Sequence, residues 1–439
     1  MKKISIILAC ICAVSFGFAQ SAWDGHSVST PSVDRNDYLI TSAEELAWVA
    51  QEWKNNANTF RGKTLVFKAD IDLGNHEWTP IGSQESPFQA AITGNRHIVK
   101  NLKVSAASND YVGLFGYMFN NDPANLLKIT GLTIRNANVS GHDYVGVFCG
   151  YAKNLNFSQC TVDSSTVSGN TSVGGFAGYF RNSAAAESYT KSMTLTVAMD
   201  GGLFIGFNDS ADRSNVQISD CYAKGVITCS TYGGGFVGHN GYKSTVKNCY
   251  TIVRYTGQGT KLGVFCGRND TLGLLENCAY NNNLNGNLAQ GAIFEDHNHL
   301  DQETYLLGYP RASFSTQTFF GDFVNSMNHN TDKWRFDFNP YSINDKDPIH
   351  TWEQLLHTSV PNTADIQTSI YPNPVTNTLY IKVNQNETIE QVEVMNLLGA
   401  VIATEQSTEQ IDMSSFKTGI YLIRIHTNSG TVTQKVVKR

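Results

Sequence analysis

Seven residues, Glu295-Asp296-His297-Asn298-His299-Leu300-Asp301, set two imidazoles among three carboxylates. H-x-H with nearby acids can ligate a transition metal, but a structural site needs further spaced ligands. No C-x-x-C pair or second cluster supplies them, so a solvated loop is the expectation. Asp70-Ile71-Asp72-Leu73-Gly74 offers oxygens of the kind calcium takes. No later Glu closes that loop at the required spacing. Turn chemistry, with Asp side chains bonding local backbone N–H groups, explains Asp70 and Asp72 as well. Neither cluster is assigned a metal, and no cofactor is expected. G-x-S-x-G, H-E-x-x-H, a phosphate loop and a dinucleotide fingerprint are all missing. Parallel β-helices that cleave polysaccharides gather carboxylates and a basic residue on one strand face. Here Asp143, Asp163, Asp200 and Asp220 fall in different slots of the repeat that surrounds them. No catalytic residue is expected.

That repeat must position whatever the chain presents. VGLFG at 112–116 is followed by VGVFCG at 145–150, VGGFAG at 173–178, GGLFIG at 201–206, GGGFVG at 233–238 and LGVFCG at 262–267. The rings Phe115, Phe148, Phe176, Phe204, Phe236 and Phe265 recur at 33, 28, 28, 32 and 29 residues. A period of this size predicts a solenoid. Each apolar G-x-F-x-G between Gly, Asn and Ser turns reads as a strand. Alternation would put Phe148 on one face with Gly146 and Gly150, and Val145, Val147 and Cys149 on the other. Both faces are apolar, which predicts burial on both sides, with the Phe column facing the core. A second strand per repeat carries Ile134, Phe157, Ile218 and Val246.

Two columns follow the last Gly of each unit. The first holds Tyr117, Tyr151, Tyr179, Phe207, His239 and Arg268. Its rings could stack sugars, or could simply cover the turn beneath them. The second ends in Asn208, Asn240 and Asn269, a pattern that predicts an amide ladder. Residues 181–197 lack the Cys slot of the other copies, and a loop or distorted coil is predicted there.

Nine cysteines fall to seven if residues 1–19 are removed. Cys149 and Cys266 share a slot with Ala177, Ile205 and Val237. Cys160, Cys221, Cys249 and Cys278 share another, each after Gln, Asp or Asn. Slots that interchange Cys with Ala, Ile and Val behave as buried apolar positions, so stacked free thiols are expected over disulfides. Thirty-two basic and 38 acidic residues, a net charge of −6, leave no basic footprint for nucleic acid. Lys2-Lys3, the apolar run 4–18 and Gly17-Phe18-Ala19 form a signal-peptide pattern.

After a polar lead-in, Ser42 with Glu45 makes a capping box, and Leu46, Val49, Ala50 and Trp53 share a helix face. This helix is expected to cover the open edge of the solenoid. Short strands are predicted at 64–68, 71–73, 88–92 and 98–104. Trp23-Asp24-Gly25, Tyr38-Leu39-Ile40, Ala69-Asp70-Ile71-Asp72-Leu73, Pro80-Ile81-Gly82, Gly94-Asn95 and Asn101-Leu102, ahead of the repeats, resemble surface proteins with GLUG-type repeats. The resemblance covers about 23–280 and implies a right-handed parallel β-solenoid, not an enzyme. Ala90 departs from it, standing where that family usually has Gly. In that family a short helix, a Trp and a Pro-Ile segment often close the solenoid. Here 319–327, Trp334 and Pro348-Ile349 are similar.

The last unit carries Tyr371-Pro372-Asn373-Pro374, Asn396-Leu397-Leu398-Gly399, Gly419-Ile420-Tyr421 and a finish from Lys435 through Lys438 to Arg439. Its short alternating strands predict a small β-sandwich. These motifs resemble the type A C-terminal sorting domain of the type IX secretion system. The resemblance implies the type IX machinery as partner and a sortase-like peptidase that removes the domain. It also implies a mature protein held on surface lipopolysaccharide or released. The expected all-β organisation is a signal peptide at 1–19, an N-terminal cap with first coils at 20–111 and the repeat solenoid at 112–280. A closing cap at 281–356, a linker at 357–367 and the sorting domain at 368–439 follow. The functional expectation is a secreted or surface-displayed, adhesin-like binder or spacer for an unidentified glycan or protein ligand. The alternatives are a carbohydrate-binding accessory protein using Tyr117, Tyr151, Tyr179 and Phe207, or a glycan-active β-helix enzyme.

Overall fold

The computed structural model describes residues 22–210, 217–257, 259–281, 292–294, 306–309, 325–328, 333–335, 347–353, 369–383, 388–395, 401–427 and 430–439. The signal-peptide pattern, the 295–301 cluster, the 357–367 linker and the Asn396–Gly399 motif lie outside the described residues. The chain divides into two units, Met1–His350 and Thr351–Arg439. Among the described residues no helix is long and apolar enough to cross a membrane.

The first unit is a parallel β-solenoid whose three sheets have ten, fourteen and seven strands. Residues one period apart pair in register, as in Tyr151 with Tyr179 and Asn156 with Ala184. No coil can bury its apolar side alone, so each is stabilised by its neighbours. The ten-stranded sheet starts with an antiparallel hairpin, Ser32–Asp34 with Asp37–Ile40, inside the stretch read from sequence as a polar lead-in. The predicted strand at 98–104 is two strands, Ile98–Lys100 and Lys103–Ser105. Asn101 between them has φ +61°, so the chain turns a corner there.

G-x-F-x-G is a corner, not a strand, which corrects the two-faced reading. Asp143–Gly146 belongs to the fourteen-stranded sheet and Cys149–Lys153 to the seven-stranded one, with Val147 and Phe148 at the bend. Alternation fails at a bend, and Val145, Val147, Phe148 and Cys149 are all fully buried together. Glycine is required because adjacent coils nearly touch there. A Cβ on Gly146 would lie 2.5 Å from Cα of Ala177 in the next coil.

The six phenylalanines stack in one buried file. Centroid distances run 6.0 Å from Phe115 to Phe148, then 5.2, 5.0, 5.0 and 5.1 Å to Phe265. Each such offset pair contributes about 0.5–1.5 kcal/mol beyond its area. The file continues upstream to Phe88, 5.3 Å from Phe115, and to Phe60, 5.6 Å from Phe88. Trp48 of the helix Ala43–Asn55 meets Phe60 edge-on at 6.3 Å. That helix therefore stands at the N-terminal end of the file, with Leu46, Val49 and Trp53 buried in the same core. The Ser42 hydroxyl accepts from the Glu45 N–H, and the Glu45 carboxylate accepts from the Thr41 N–H and hydroxyl. The reciprocal bond thus reaches one residue further back than an ordinary capping box.

The third repeat is not a loop. Ala184–Ala186 and Tyr189–Gly202 are strands, and the only distortion in their pairing with the next coil is a register shift between Thr190 and Met193. Ser188 fills the Cys slot. Its hydroxyl donates to the Ala186 carbonyl and accepts from the Cys160 N–H, as the Cys249 thiol accepts from the Cys221 N–H. A small donor-acceptor side chain is what the slot requires, and Ser or Cys meets it.

All seven described cysteines are free and buried. Burial pushes the Cys160 thiol up to about 12 and the Cys229 thiol up to about 11. Thiolates are the reactive species. Iodoacetamide at pH 8 is therefore expected to label none of the seven in the native protein and all seven in urea. Native labelling, read by mass spectrometry, would contradict the burial.

Asp70 and Asp72 bond to protein. Asp72 Oδ1 accepts from the Gly74 N–H and the Asn101 amide, and Asp70 Oδ1 accepts from the Ile98 N–H. Further along, Trp334, Pro348 and His350 pack on the flank of three coils. They meet a file of Tyr189, Tyr222 and Tyr250 whose rings lie 4.6 and 5.0 Å apart. Tyr250 donates to the Pro348 carbonyl, and Lys224 pairs with buried Asp347 at 2.7 Å.

The second unit is a sandwich of a three-stranded and a four-stranded antiparallel sheet. Leu379, Ile381 and Ile411 of one sheet share a core with Val392, Val394, Ile423, Ile425 and Val436 of the other.

Candidate functional site

Two groups of residues stand apart from pure packing: the aromatic flank of the solenoid and the seam where the first and last segments of the C-terminal unit meet. The flank follows from the corner. Immediately past it, Tyr117, Tyr151, Tyr179, Phe207, His239 and Arg268 pair in register across six coils. Tyr117 and Tyr151 lie 4.4 Å apart at 11°, and Tyr151 and Tyr179 lie 5.0 Å apart at 12°. Phe207 tilts against Tyr179 at 4.8 Å and stacks on His239 at 3.9 Å. Each interior ring has both faces covered by its neighbours, so this file offers edges and hydroxyls outward. Burial pushes the Tyr117, Tyr151 and Tyr179 phenols above their ordinary value. They remain neutral donors through the physiological range. Tyr179 donates to Asp209, which also pairs with Arg181 at 3.0 Å. One position inward, the Asn208 amide donates to Asn240 and that of Asn240 to Asn269, a buried ladder.

A second aromatic set escaped the sequence reading. Tyr111, Tyr144, Ser172, Asp200, Tyr232 and Lys261 occupy one slot before the corner, all with φ between 53° and 60°. The signal was present as a Tyr two residues ahead of the first Gly in three of six copies. Tyr111 and Tyr144 stack at 5.0 Å and 6°, and meet the first file edge-on. Beyond Tyr111, toward the N-terminal coils, lies an open groove of about 550 Å³. Trp53, Gln84, Glu85, Asn109, Asp110 and Tyr111 are among its lining residues.

Asp110, His142 and Asp143 place ligand atoms within 4.8 Å of one another. Their bonds run from coil to coil instead. Asp110 Oδ1 accepts from the Asp143 N–H, and Asp143 Oδ1 from the Thr171 N–H, as Asp70 does from Ile98.

In the C-terminal unit the motif residues come together from opposite ends of the sequence. Asn373 accepts from the Val437 N–H and donates to the Lys435 carbonyl, both at 2.9 Å. Val375 donates to the Val437 carbonyl, and Arg439 to the Val375 carbonyl. Gly419 pairs with Lys438, Tyr371 stacks on Tyr380, and the Tyr421 hydroxyl donates to the Lys417 carbonyl. Pro372 and Pro374 flank Asn373 on this seam. Gly399 lies outside the described residues.

Residues 369–439 match the family model of the secretion system C-terminal sorting domain. The sorting domain marks the chain for export by type IX secretion, to the cell surface or into the medium, and implies interaction with that machinery. The chain is also similar to a protein of Evansella cellulosilytica named as a Gly-rich membrane protein. The two are 26% identical over 144 residues, 30% of this chain and 16% of that one. It is also 29% identical over 120 residues to Halomucin of Haloquadratum walsbyi, 26% of this chain and 1% of that protein. The chain thus spans only a small part of either relative's length. No solved structure matches it.

Proposed function

We propose that the solenoid is a non-enzymatic, adhesin-like binding rod that the sorting domain delivers to the cell surface. The supporting observation is the flank of half-buried rings, registered over successive coils, on a unit whose C-terminal partner is a sorting domain. A long repetitive face suits an extended ligand. In this reading a sortase-like peptidase removes the sorting domain and leaves the rod on lipopolysaccharide or free. Glycan and host-protein arrays probed with the secreted protein are expected to give saturable binding, with no reducing-sugar release from a polysaccharide panel. Release of reducing ends would favour a glycan-active enzyme, and silence on every array would favour a spacer. A second reading, a carbohydrate-binding accessory protein, is favoured by the Tyr117, Tyr151, Tyr179 and Phe207 file. Binding that survives replacement of the three tyrosines by Ala would remove that file from the ligand.

A further inference from the structure

We propose that the groove ahead of Tyr111 is a sugar-binding site in which one pyranose ring stacks on Tyr111. This deepens the binding reading above and rests on it. A sugar stacks on an aromatic ring through the ring's face, and most faces on this flank are already taken. Tyr151 is sandwiched between Tyr117 and Tyr179, at 4.4 and 5.0 Å. Tyr111 stands at the head of its file and, unlike Tyr117 at the head of the other, lines a groove. Tyr144 covers one of its sides at 5.0 Å, and Tyr111 lines a groove of about 550 Å³ walled by residues of the preceding coil. The Tyr111 phenol is anchored by donation to Gln84 Oε1 at 3.3 Å, which fixes the ring edge against the wall.

The remaining lining fits a polyol. Gln84, Glu85, Asn109 and Asp110 are exposed around the ring and offer amide donors and carboxylate acceptors to vicinal hydroxyls. Asp110 is held in place through Oδ1 by the Asp143 N–H and by His142, so Oδ2 can turn to a ligand. Trp53 is buried with its indole N–H committed to the Ser86 carbonyl, which leaves Tyr111 as the ring of this lining that a sugar can use. A cationic peptide meets mixed charge, because Lys54 lines the same groove as Glu85 and Asp110. An aromatic platform with a few convergent polar groups in an open cleft is the usual form of a small-ligand site.

The test uses the purified full-length chain on an array of neutral and acidic oligosaccharides, followed by calorimetric titration of the best oligosaccharide. Tyr111→Ala is expected to weaken binding about tenfold or more, as for a central aromatic anchor. Tyr111→Phe keeps the platform and is expected to lose only a fewfold. Tyr242→Ala, an exposed ring outside the groove, is expected to leave affinity unchanged. Circular dichroism and the thermal midpoint report whether each variant is folded, and Tyr111→Phe keeps the test open if Tyr111→Ala is not. Sugar binding indifferent to Tyr111, or lost equally in Tyr242→Ala, overturns the proposal. So does an oligo-lysine peptide that binds the groove while no sugar does. Array binding to a host protein, with none to any sugar, would leave the rod reading standing and end the sugar assignment alone.

Discussion

Phe176→Ala is expected to destabilise the solenoid by about 3–5 kcal/mol, the range for emptying a fully buried aromatic site. Phe176 is stacked on Phe148 and Phe204 and met edge-on by Phe157 at 5.3 Å. The backbone around the void cannot collapse into it, because the Phe176 N–H donates to the Phe204 carbonyl and its own carbonyl accepts from Phe148. Urea midpoints at constant slope would read the loss. Tyr179→Ala, three residues on and half-buried, is expected to lose clearly less, since its ring edge is already in water. Equal losses at the two positions would mean that the inner file has no special weight.

Deletion of 366–439 is expected to abolish surface display and leave the protein in the periplasm. The sorting domain is a unit with its own core, so its removal need not unfold the solenoid. Fractionation and surface proteolysis of whole cells would follow it, and normal display of the truncated chain would refute the assignment. Within the domain, Asn373→Ala removes two bonds that tie the start of the unit to its last strand. Its expected stability loss is about 1–3 kcal/mol.

The solenoid was legible because one ring type recurs between glycines at a nearly constant spacing. What the spacing could not convey was the bend. Strand alternation would hold across Gly146 to Gly150 only within one sheet, whereas the chain changes sheets at Val147 and Phe148. Phe60 stands 28 residues before Phe88 and Phe88 27 before Phe115, in step with the period, but neither has the paired glycines of G-x-F-x-G, so the motif alone does not mark them. Ser188 looks like a gap in the Cys column by residue identity, and only its hydrogen bonds show that it fills the slot. The cover of Trp334, Pro348 and His350 depends on partners about a hundred residues upstream, among them Tyr250 and Asp220, which no local pattern reveals. For the candidate site, the file from Tyr117 to Phe207 was visible as a column. That its faces are mutually covered, and that Tyr111 lines a groove, required coordinates.

A double-mutant cycle on the ring file tests the central claim most directly. Phe148→Leu and Phe176→Leu lie 28 residues apart in sequence but 5.2 Å apart between centroids. Their losses are expected to be non-additive by about 0.5–1.5 kcal/mol, the worth of a stacked aromatic pair. Phe148→Leu and Phe236→Leu, with Phe176 and Phe204 between them, are expected to add. Additivity for the neighbouring pair would contradict the stacked-coil architecture.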